Sequence, residues 1–179
     1  MLLTALPAGG EPRVNLKTVY YDVAGRNLEE IRKELDLKSP VRHGDERFHA
    51  NTSWSVTWNM RWMAKAFSCE VTDVTAQVDI TVTLPRWPGL EDAPREAGEE
   101  WHRYYGVLVE HENGHRDLAI EAGKKIEEGI RRMGARENCA TMKSDANRIG
   151  RGIVRTYEAL SEKYDEETDH GRKPKTSGP

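Results

Sequence analysis

The stretch Val109-Glu110-His111-Glu112-Asn113-Gly114-His115 decides how the rest of this chain is interpreted. It contains the pattern His-Glu-x-x-His, and residues four apart on a helix lie on one face. His111 and His115 can therefore present two imidazole nitrogens to one zinc ion, while Glu112 can accept a proton from water beside that ion. The alternative is an exposed helix with two unrelated histidines.

The residues around the motif favour a buried helix. Apolar residues recur at helical spacing on both sides of the two histidines, which therefore face the interior or a cleft. Two buried histidines need polar partners, and a metal ion would satisfy both. Gly114 costs about 1 kcal/mol of helix propensity relative to alanine, so we expect another group to approach its backbone closely. The stripe comprises Trp101, Tyr104, Tyr105, Leu108, His111, His115, Leu118, Ala119, Ala122, Ile126 and Ile130.

Length and composition indicate one globular domain. The chain has 179 residues, 37% of them hydrophobic and 32% charged, which is enough for a sizeable core. We predict a flexible lead-in over residues 1–14, a single domain over 15–171 and a disordered basic tail over 172–179. The net charge of -3 gives no reason to expect nucleic acid or an anionic membrane surface as a partner. No apolar run approaches the roughly 20 residues that span a bilayer.

The order of hydrophobic patterns predicts an α+β fold. Alternating residues predict strands near residues 53–60 and 74–84. Valine and tyrosine residues predict a further strand near residues 15–23. The stretch from Asn27 to Glu30 is typical of a capping box, so a short helix should follow it. Long helices are expected from about Ala97 to Met133, ending at Gly134, and from about Cys139 to Glu166. We therefore expect a small antiparallel sheet packed on two long helices, of which the first carries the motif.

The two cysteines leave two possibilities open. Cys69 and Cys139 belong to no CxxC motif, so a zinc or redox pair of that kind is excluded. They either form one disulfide, which would favour an oxidising compartment, or are two unrelated buried thiols. The amino terminus is apolar but short and lacks a basic start, so it is either a trimmed export signal or a simple terminus.

Several separate stretches resemble a known family, Domain of Unknown Function 922, whose members are described as bacterial secreted zinc-dependent proteases. The similarity extends from about Tyr20 to Gly171. It implies a zincin-like fold, peptidase activity, export from the cytoplasm and a Cys69–Cys139 disulfide. The matching pieces are Tyr21-Asp22-Val23-Ala24-Gly25, Thr52-Ser53-Trp54-Ser55-Val56-Thr57-Trp58, Cys69, Leu84-Pro85-Arg86-Trp87, Trp101, His111-Glu112-Asn113-Gly114-His115, Cys139 and Tyr164-Asp165-Glu166-Glu167-Thr168-Asp169-His170-Gly171.

A third zinc ligand is expected, because a catalytic zinc usually takes three protein ligands plus water. His170 is the predicted third ligand, since it follows the second long helix and belongs to the last stretch that resembles the family. Straight antiparallel helices would place His115 level with about Ile153 and His170 some 25 Å past the metal. That geometry favours Glu158, with Asp165 as a further option. A kink or a late helix start at Gly150 and Gly152 would restore His170.

The function predicted from these residues is zinc-dependent hydrolysis of a peptide or protein substrate. His111, His115 and His170 would hold Zn²⁺, and Glu112 would serve as general base. The alternatives are a non-enzymatic zinc-binding structural protein and a non-proteolytic zinc amide or ester hydrolase. We expect a secreted or periplasmic protein, although no complete signal peptide is present. The remaining histidines are interpreted as surface residues, namely His43, His49 and His102.

Overall fold

The computed structural model describes residues 11–44 and 46–171 and shows an α+β fold. The predicted tail and most of the predicted lead-in lie outside the described residues, and the first strand already begins at Arg13. The elements, in chain order, are β1 (Arg13–Asp22), α1 (Leu28–Lys38), β2 (Arg42–His43), β3 (Glu46–Arg47), β4 (Asn51–Lys65), β5 (Ser68–Arg86), a short 3-10 helix (Leu90–Asp92), α2 (Arg95–Arg131) and α3 (Cys139–Thr168).

The predicted helix signals coincide with helix ends. The Asn27 side chain accepts a 2.9 Å hydrogen bond from the Glu30 amide at the start of α1. The Glu30 carboxylate in turn accepts a 3.0 Å bond from the Arg26 amide, one residue before the position expected in a capping box. Gly134 follows α2 with a φ of 72°, a conformation that favours glycine. Local side-chain and backbone chemistry therefore sets these boundaries.

The three long strands form a mixed sheet in the order β1-β5-β4, not the antiparallel sheet that we predicted. β4 and β5 form a hairpin, whereas β1 runs parallel to β5. Asn15 contacts Asp79, and Asp22 contacts Arg86, so the separation along the chain stays at 64 residues in both pairs. Alternation shows which face of a strand is buried but not its direction. The long connection through α1, β2 and β3 permits the parallel pairing.

The chain divides into two compact units, to both of which the long elements contribute. The first, which we call the disulfide unit, contains residues 11–15, Ser55–Asp79 and Ala119–Glu158. The second, the motif unit, contains Leu16–Trp54, Ile80–Leu118 and residues 159–171. The single domain expected over residues 15–171 stays a prediction.

The disulfide unit is built where strands pack against both long helices. Val74 of β5, Ile126 and Ile130 of α2, and Ala146 of α3 form its buried cluster. The Trp58 ring lies so close to the α3 backbone that any side chain at Gly150 would overlap it. Gly150 therefore accommodates Trp58, and α3 extends without a break from Cys139 to Thr168, which excludes a late helix start.

The motif unit has its own apolar cluster beside the start of α2. Val23, Ile31, Leu35, Trp87, Ala97 and Trp101 are its buried members. The rings of Trp87 and Trp101 meet edge to face with centroids 6.0 Å apart, so these two tryptophans serve core packing. Every residue of the predicted α2 stripe is buried or half-buried. This packing fixes the face of α2 on which the motif lies.

Cys69 and Cys139 form a disulfide, with Cα atoms 5.0 Å apart, in the disulfide unit. Cys69 also exchanges two backbone hydrogen bonds with Arg136, at 2.7 and 2.8 Å, just before α3 begins. The start of β5 is thus attached to the connection between the long helices. Among the described residues, no helix is both long and apolar enough to cross a membrane.

Replacing Cys69 and Cys139 together by serine should lower the free energy of unfolding by about 4 kcal/mol, because the bridge closes a long loop in the unfolded chain. Urea unfolding of the double variant beside the oxidised parent checks the size of the effect. Reducing the parent should reproduce most of it. Two readily alkylated thiols in the native, air-purified protein would contradict the bridge.

Candidate metal centre

The His-Glu-x-x-His motif lies near the middle of α2, which is the second α-helix and the first of the two long helices among the described residues. The side chains of His111, Glu112 and His115 are all buried, with at most 7% of each residue exposed. The two histidines are one helical turn apart, and their Nε2 atoms lie 3.1 Å from each other. The motif therefore directs two imidazoles towards one point.

Asp165 of α3 completes a group of three potential ligands. Its Oδ1 lies 3.1 Å from His111 Nε2 and 3.0 Å from His115 Nε2. One donor atom from each residue lies within 4.8 Å of the other two. Asp165 is one of the two alternatives to His170 that the sequence offers. Straight-helix arithmetic placed Ile153 level with His115, whereas the residue that reaches His115 is Ser161.

The outer nitrogens of both histidines are hydrogen-bonded to hydroxyl groups of α3. Thr168 donates its only hydroxyl proton to the Tyr164 carbonyl at 2.6 Å. The same hydroxyl lies 3.2 Å from His111 Nδ1, so its oxygen accepts a hydrogen bond from the N–H of that nitrogen. Ser161 Oγ lies 2.6 Å from His115 Nδ1. Hydrogen bonds of this kind hold a ligating imidazole in the tautomer whose Nε2 lone pair is free for a metal.

The chemistry of this donor set fits a zinc ion. Lone pairs of two imidazole nitrogens and a carboxylate converge, and they repel one another unless a cation or proton lies between them. Three ligands at about 2.0 Å from a tetrahedral zinc would be separated by about 3.3 Å. The separations of 3.0 to 3.1 Å among these three atoms come close to that value.

Asp165 is held in its ionised form. Burial by itself would raise the pKa of the carboxyl group, but hydrogen bonds and favourable charge interactions with His111 and His115 outweigh burial. The net result is a pKa below the ordinary range for aspartate. An ionised carboxylate is the form that can bind a metal.

Glu112 lies in the same cleft with a different environment. Burial raises the pKa of its carboxyl group, and a hydrogen bond from Thr52 opposes part of that rise. Thr52 Oγ1 lies 2.7 Å from Glu112 Oε2, at the start of β4. Sequence reasoning did not single out Thr52 as a site residue, although it begins one of the stretches that resemble the family. The hydroxyl fixes one carboxylate oxygen and so limits the orientations of Glu112.

Tyr164 packs directly against the motif. Its ring is stacked on His111, with centroids 5.0 Å apart, and meets His115 at a steep angle with centroids 5.1 Å apart. A Cβ atom at Gly114 would lie 2.5 Å from the Tyr164 ring. The expected close approach to the Gly114 backbone is therefore confirmed, and the approaching group is an aromatic side chain of α3.

The chain turns sharply where α3 ends. Asp169, His170 and Gly171 all have positive φ angles, and a Cβ at Gly171 would lie 2.9 Å from His111 Cγ. His170 is exposed, with its Nδ1 3.6 Å from Asp165 Oδ1 and its ring 4.6 Å from that of Phe48. It is not part of the three-residue group, although it lies beside one member. Whether it binds the metal stays a prediction.

The other candidate ligands and histidines occupy different positions. Glu158 is exposed and belongs to the disulfide unit. His102 is exposed, as we expected, whereas the side chain of His43 lies outside the described residues. His49 was interpreted as a surface residue, but it is half-buried, and both of its ring nitrogens have partners. Its Nδ1 contacts the Tyr104 hydroxyl and its Nε2 lies 2.8 Å from Asp36 Oδ1.

The three grouped residues and Glu112 open into a cleft of about 1160 Å³ within the motif unit. Its walls also include the start of β4 at Asn51 and Thr52, together with His49 and Tyr104. The cleft therefore gives a substrate access to the potential ligands and to the buried carboxylate at the same time.

A family model described as "Bacterial protein of unknown function (DUF922)" matches residues 18–171. The chain belongs to this family. No curated protein and no solved structure matches it. The DUF922 match includes every residue of the candidate metal centre, from Thr52 to Gly171. The family description names no activity.

If His111, His115 and Asp165 hold zinc, replacing Gly114 by alanine should weaken zinc binding at least about tenfold, because the new methyl group displaces Tyr164 and with it the neighbouring Asp165 on α3. The free energy of unfolding should fall by about 1–3 kcal/mol, as for other overpacked sites. Gly106→Ala is the matched control on the same helix, since a Cβ there meets nothing within 4 Å. Zinc titration and thermal unfolding of both variants provide the measurement. Equal zinc affinity in the two variants would contradict the role of Gly114.

Proposed function

We propose that this protein is a zinc-dependent metallopeptidase that hydrolyses peptide bonds with Glu112 as general base. The observation that carries the proposal is the convergence of His111 Nε2, His115 Nε2 and Asp165 Oδ1 within 3.1 Å of one another. A buried carboxylate that is not part of this group follows the first histidine directly. That combination suits water-activating chemistry, since a purely structural site has no need of Glu112.

His111, His115 and Asp165 would hold the zinc ion, and Ser161 and Thr168 would keep the two imidazoles oriented. When bound, zinc supplies a Lewis acid that polarises a carbonyl group and lowers the pKa of water. Three protein ligands leave a fourth position for water or substrate.

Glu112 would accept a proton from water and later deliver it to the leaving amine. Burial favours the neutral carboxyl and raises its pKa, which makes the carboxylate a stronger base near neutral pH. The Thr52 hydroxyl at 2.7 Å holds one of its oxygens. The carboxylate of Glu112 is therefore already oriented before the reaction begins.

The shape of the cleft favours a peptide over a small amide or ester. Its volume of about 1160 Å³ exceeds the roughly 300–1,000 Å³ of ordinary small-molecule pockets. β4 is an edge strand of the sheet and begins at Asn51, in the wall of the cleft. The backbone of an edge strand can pair with an extended peptide. A zinc hydrolase acting on another amide or ester would share the same water activation and is distinguished by its substrates.

A second candidate function is supported by His170. Its Nδ1 lies 3.6 Å from Asp165 Oδ1, so a small movement of the turn would bring a fourth protein ligand to the metal. A site closed in this way would be structural and non-enzymatic. The buried Glu112 argues against this alternative.

We propose that the protein is secreted or periplasmic. The Cys69–Cys139 bridge supports this location, because such bonds persist in oxidising compartments. The family match to bacterial proteins is compatible with either compartment.

Replacing Glu112 by glutamine should lower kcat/KM by about a hundredfold or more while zinc content persists, because the side chain keeps its size but loses its basicity. Glu110→Gln is the matched control, since Glu110 is an exposed glutamate two residues away on the same helix. A quenched fluorescent peptide library supplies the substrates, and metal quantification accompanies each assay. A parent protein that cleaves peptides and an equally active Glu112→Gln variant would together overturn the mechanism.

The third ligand is tested by zinc quantification after dialysis against a weak chelator. Asp165→Asn should lose most of its zinc, because the amide keeps the shape of the side chain but carries no charge. Glu158→Gln should match the parent protein, and so should His170→Ala if the site is open. Loss of zinc from His170→Ala with retention by Asp165→Asn would restore the ligand set expected from the sequence. Loss from both variants would support the closed structural site.

A further inference from the structure

The β4–β5 hairpin of the disulfide unit ends in a segment of seven exposed residues. Residues 61–67 are all exposed, and we call Arg61–Phe67 the hairpin tip. It includes the last five residues of β4 and the two-residue turn at Ala66 and Phe67.

The hairpin tip carries three large apolar side chains. Phe67 in the turn is 91% exposed, while Trp62 and Met63 are 43% and 47% exposed. Trp62 and Met63 are successive strand residues, so they project to opposite faces of the ribbon. Apolar groups therefore surround the end of the hairpin and do not form one flat patch.

Basic side chains accompany these apolar groups. Lys143 of α3 places its Nζ 4.0 Å from the centre of the Trp62 ring. Arg61 makes no ion pair among the described residues, and Lys65 is paired with Glu70 at 2.7 Å. The chain as a whole has a net charge of -3. Net charge alone gave no reason to expect an anionic surface as a partner. It does not report where Arg61 and Lys143 lie on the protein.

The base of the hairpin is held firmly. Cys69 lies two residues after Phe67 and is joined to Cys139 by the disulfide. Its backbone pairs with Arg136 on the same short segment. Little conformational freedom remains to be lost when the tip binds a partner, which favours binding through a small contact area.

The exposed apolar area is not presented as one flat surface. Taking about 200 Å² for each large side chain, the three residues expose roughly 400 Å², which is divided between the two faces and the turn of the ribbon. A lipid headgroup region can surround a projecting side chain from all directions. Aromatic residues and lysines together are typical of such regions.

We infer that the hairpin tip binds anionic lipid surfaces, with Phe67, Trp62 and Met63 inserted among the acyl chains and headgroups while Arg61 and Lys143 contact phosphates. The binding is peripheral and reversible, because only three apolar side chains enter the lipid. The partner is thus a phospholipid surface of negative charge, such as phosphatidylglycerol.

Sedimentation with phosphatidylglycerol vesicles at low salt tests the proposal on the full-length protein. The parent should partition into the pellet, and Phe67→Ser should lower the partition coefficient about tenfold or more. Leu37→Ser is the matched control, because Leu37 is 69% exposed on α1, which is not part of the hairpin. Both sites are exposed, so the variants should keep the melting temperature of the parent.

The charge contribution is tested in the same assay. Lys143→Gln and Arg61→Gln should each lower partitioning about fivefold on phosphatidylglycerol. On neutral phosphatidylcholine they should have little effect. Lys17→Gln provides the control, since Lys17 is an exposed lysine of β1.

Three outcomes would overturn the inference. The parent could fail to bind phosphatidylglycerol vesicles, or Leu37→Ser could reduce binding as much as Phe67→Ser. Concentration-dependent dimerisation that Phe67→Ser abolishes would instead assign the tip to a second copy of the chain. None of these measurements uses peptidase activity or zinc, so the result is independent of the proposed function.

Discussion

The contact between the Tyr164 ring and the bare backbone of Gly114 determines how closely α3 approaches α2 at the metal centre. Any side chain on α2 at this position would displace the ring. With the ring in place, the same face of α3 brings Ser161, Asp165 and Thr168 to the two histidines. Helical spacing then completes the arrangement, because Ser161, Asp165 and Thr168 lie about one turn apart along that face. Gly114 thus permits all the contacts that Ser161, Asp165 and Thr168 of α3 make with the two histidines.

Two carboxylates lie close to the same pair of histidines, and their environments separate them. Asp165 interacts with both imidazoles, which keep it ionised despite its partial burial. Glu112 is more deeply buried, and burial raises its pKa although the hydrogen bond from Thr52 opposes part of that rise. Opposite shifts in neighbouring acidic groups are characteristic of sites that need one permanent anion and one proton acceptor. This difference in surroundings supports the proposed roles of Asp165 as ligand and Glu112 as base.

The sequence predicts the local features of this protein better than the long-range ones. Alternation identified the strands, the apolar stripe identified the buried face of α2, and Gly134 marked the end of that helix. The direction of β1 could not be predicted, because alternation is the same in parallel and antiparallel strands. Asp165 ranked behind Glu158 because an estimate with straight helices gave the wrong level for α3. It ranked behind His170 because a histidine in the last stretch that resembles the family was preferred. Thr52 and Thr168 carried no signal of their own, since hydroxyl groups are common on strands and helices alike.

The turn at Asp169, His170 and Gly171 has a consequence for how metal would be exchanged. Three successive residues with positive φ are unfavourable, by about 1 kcal/mol for each of the two that are not glycine. The turn nevertheless packs Gly171 against the ring of His111. A chain cut after Thr168 would keep His111, His115 and Asp165 but would lose this cover. With zinc bound as proposed, the cut would expose the His111 ring to solvent, so this turn would slow the access of chelators to the metal.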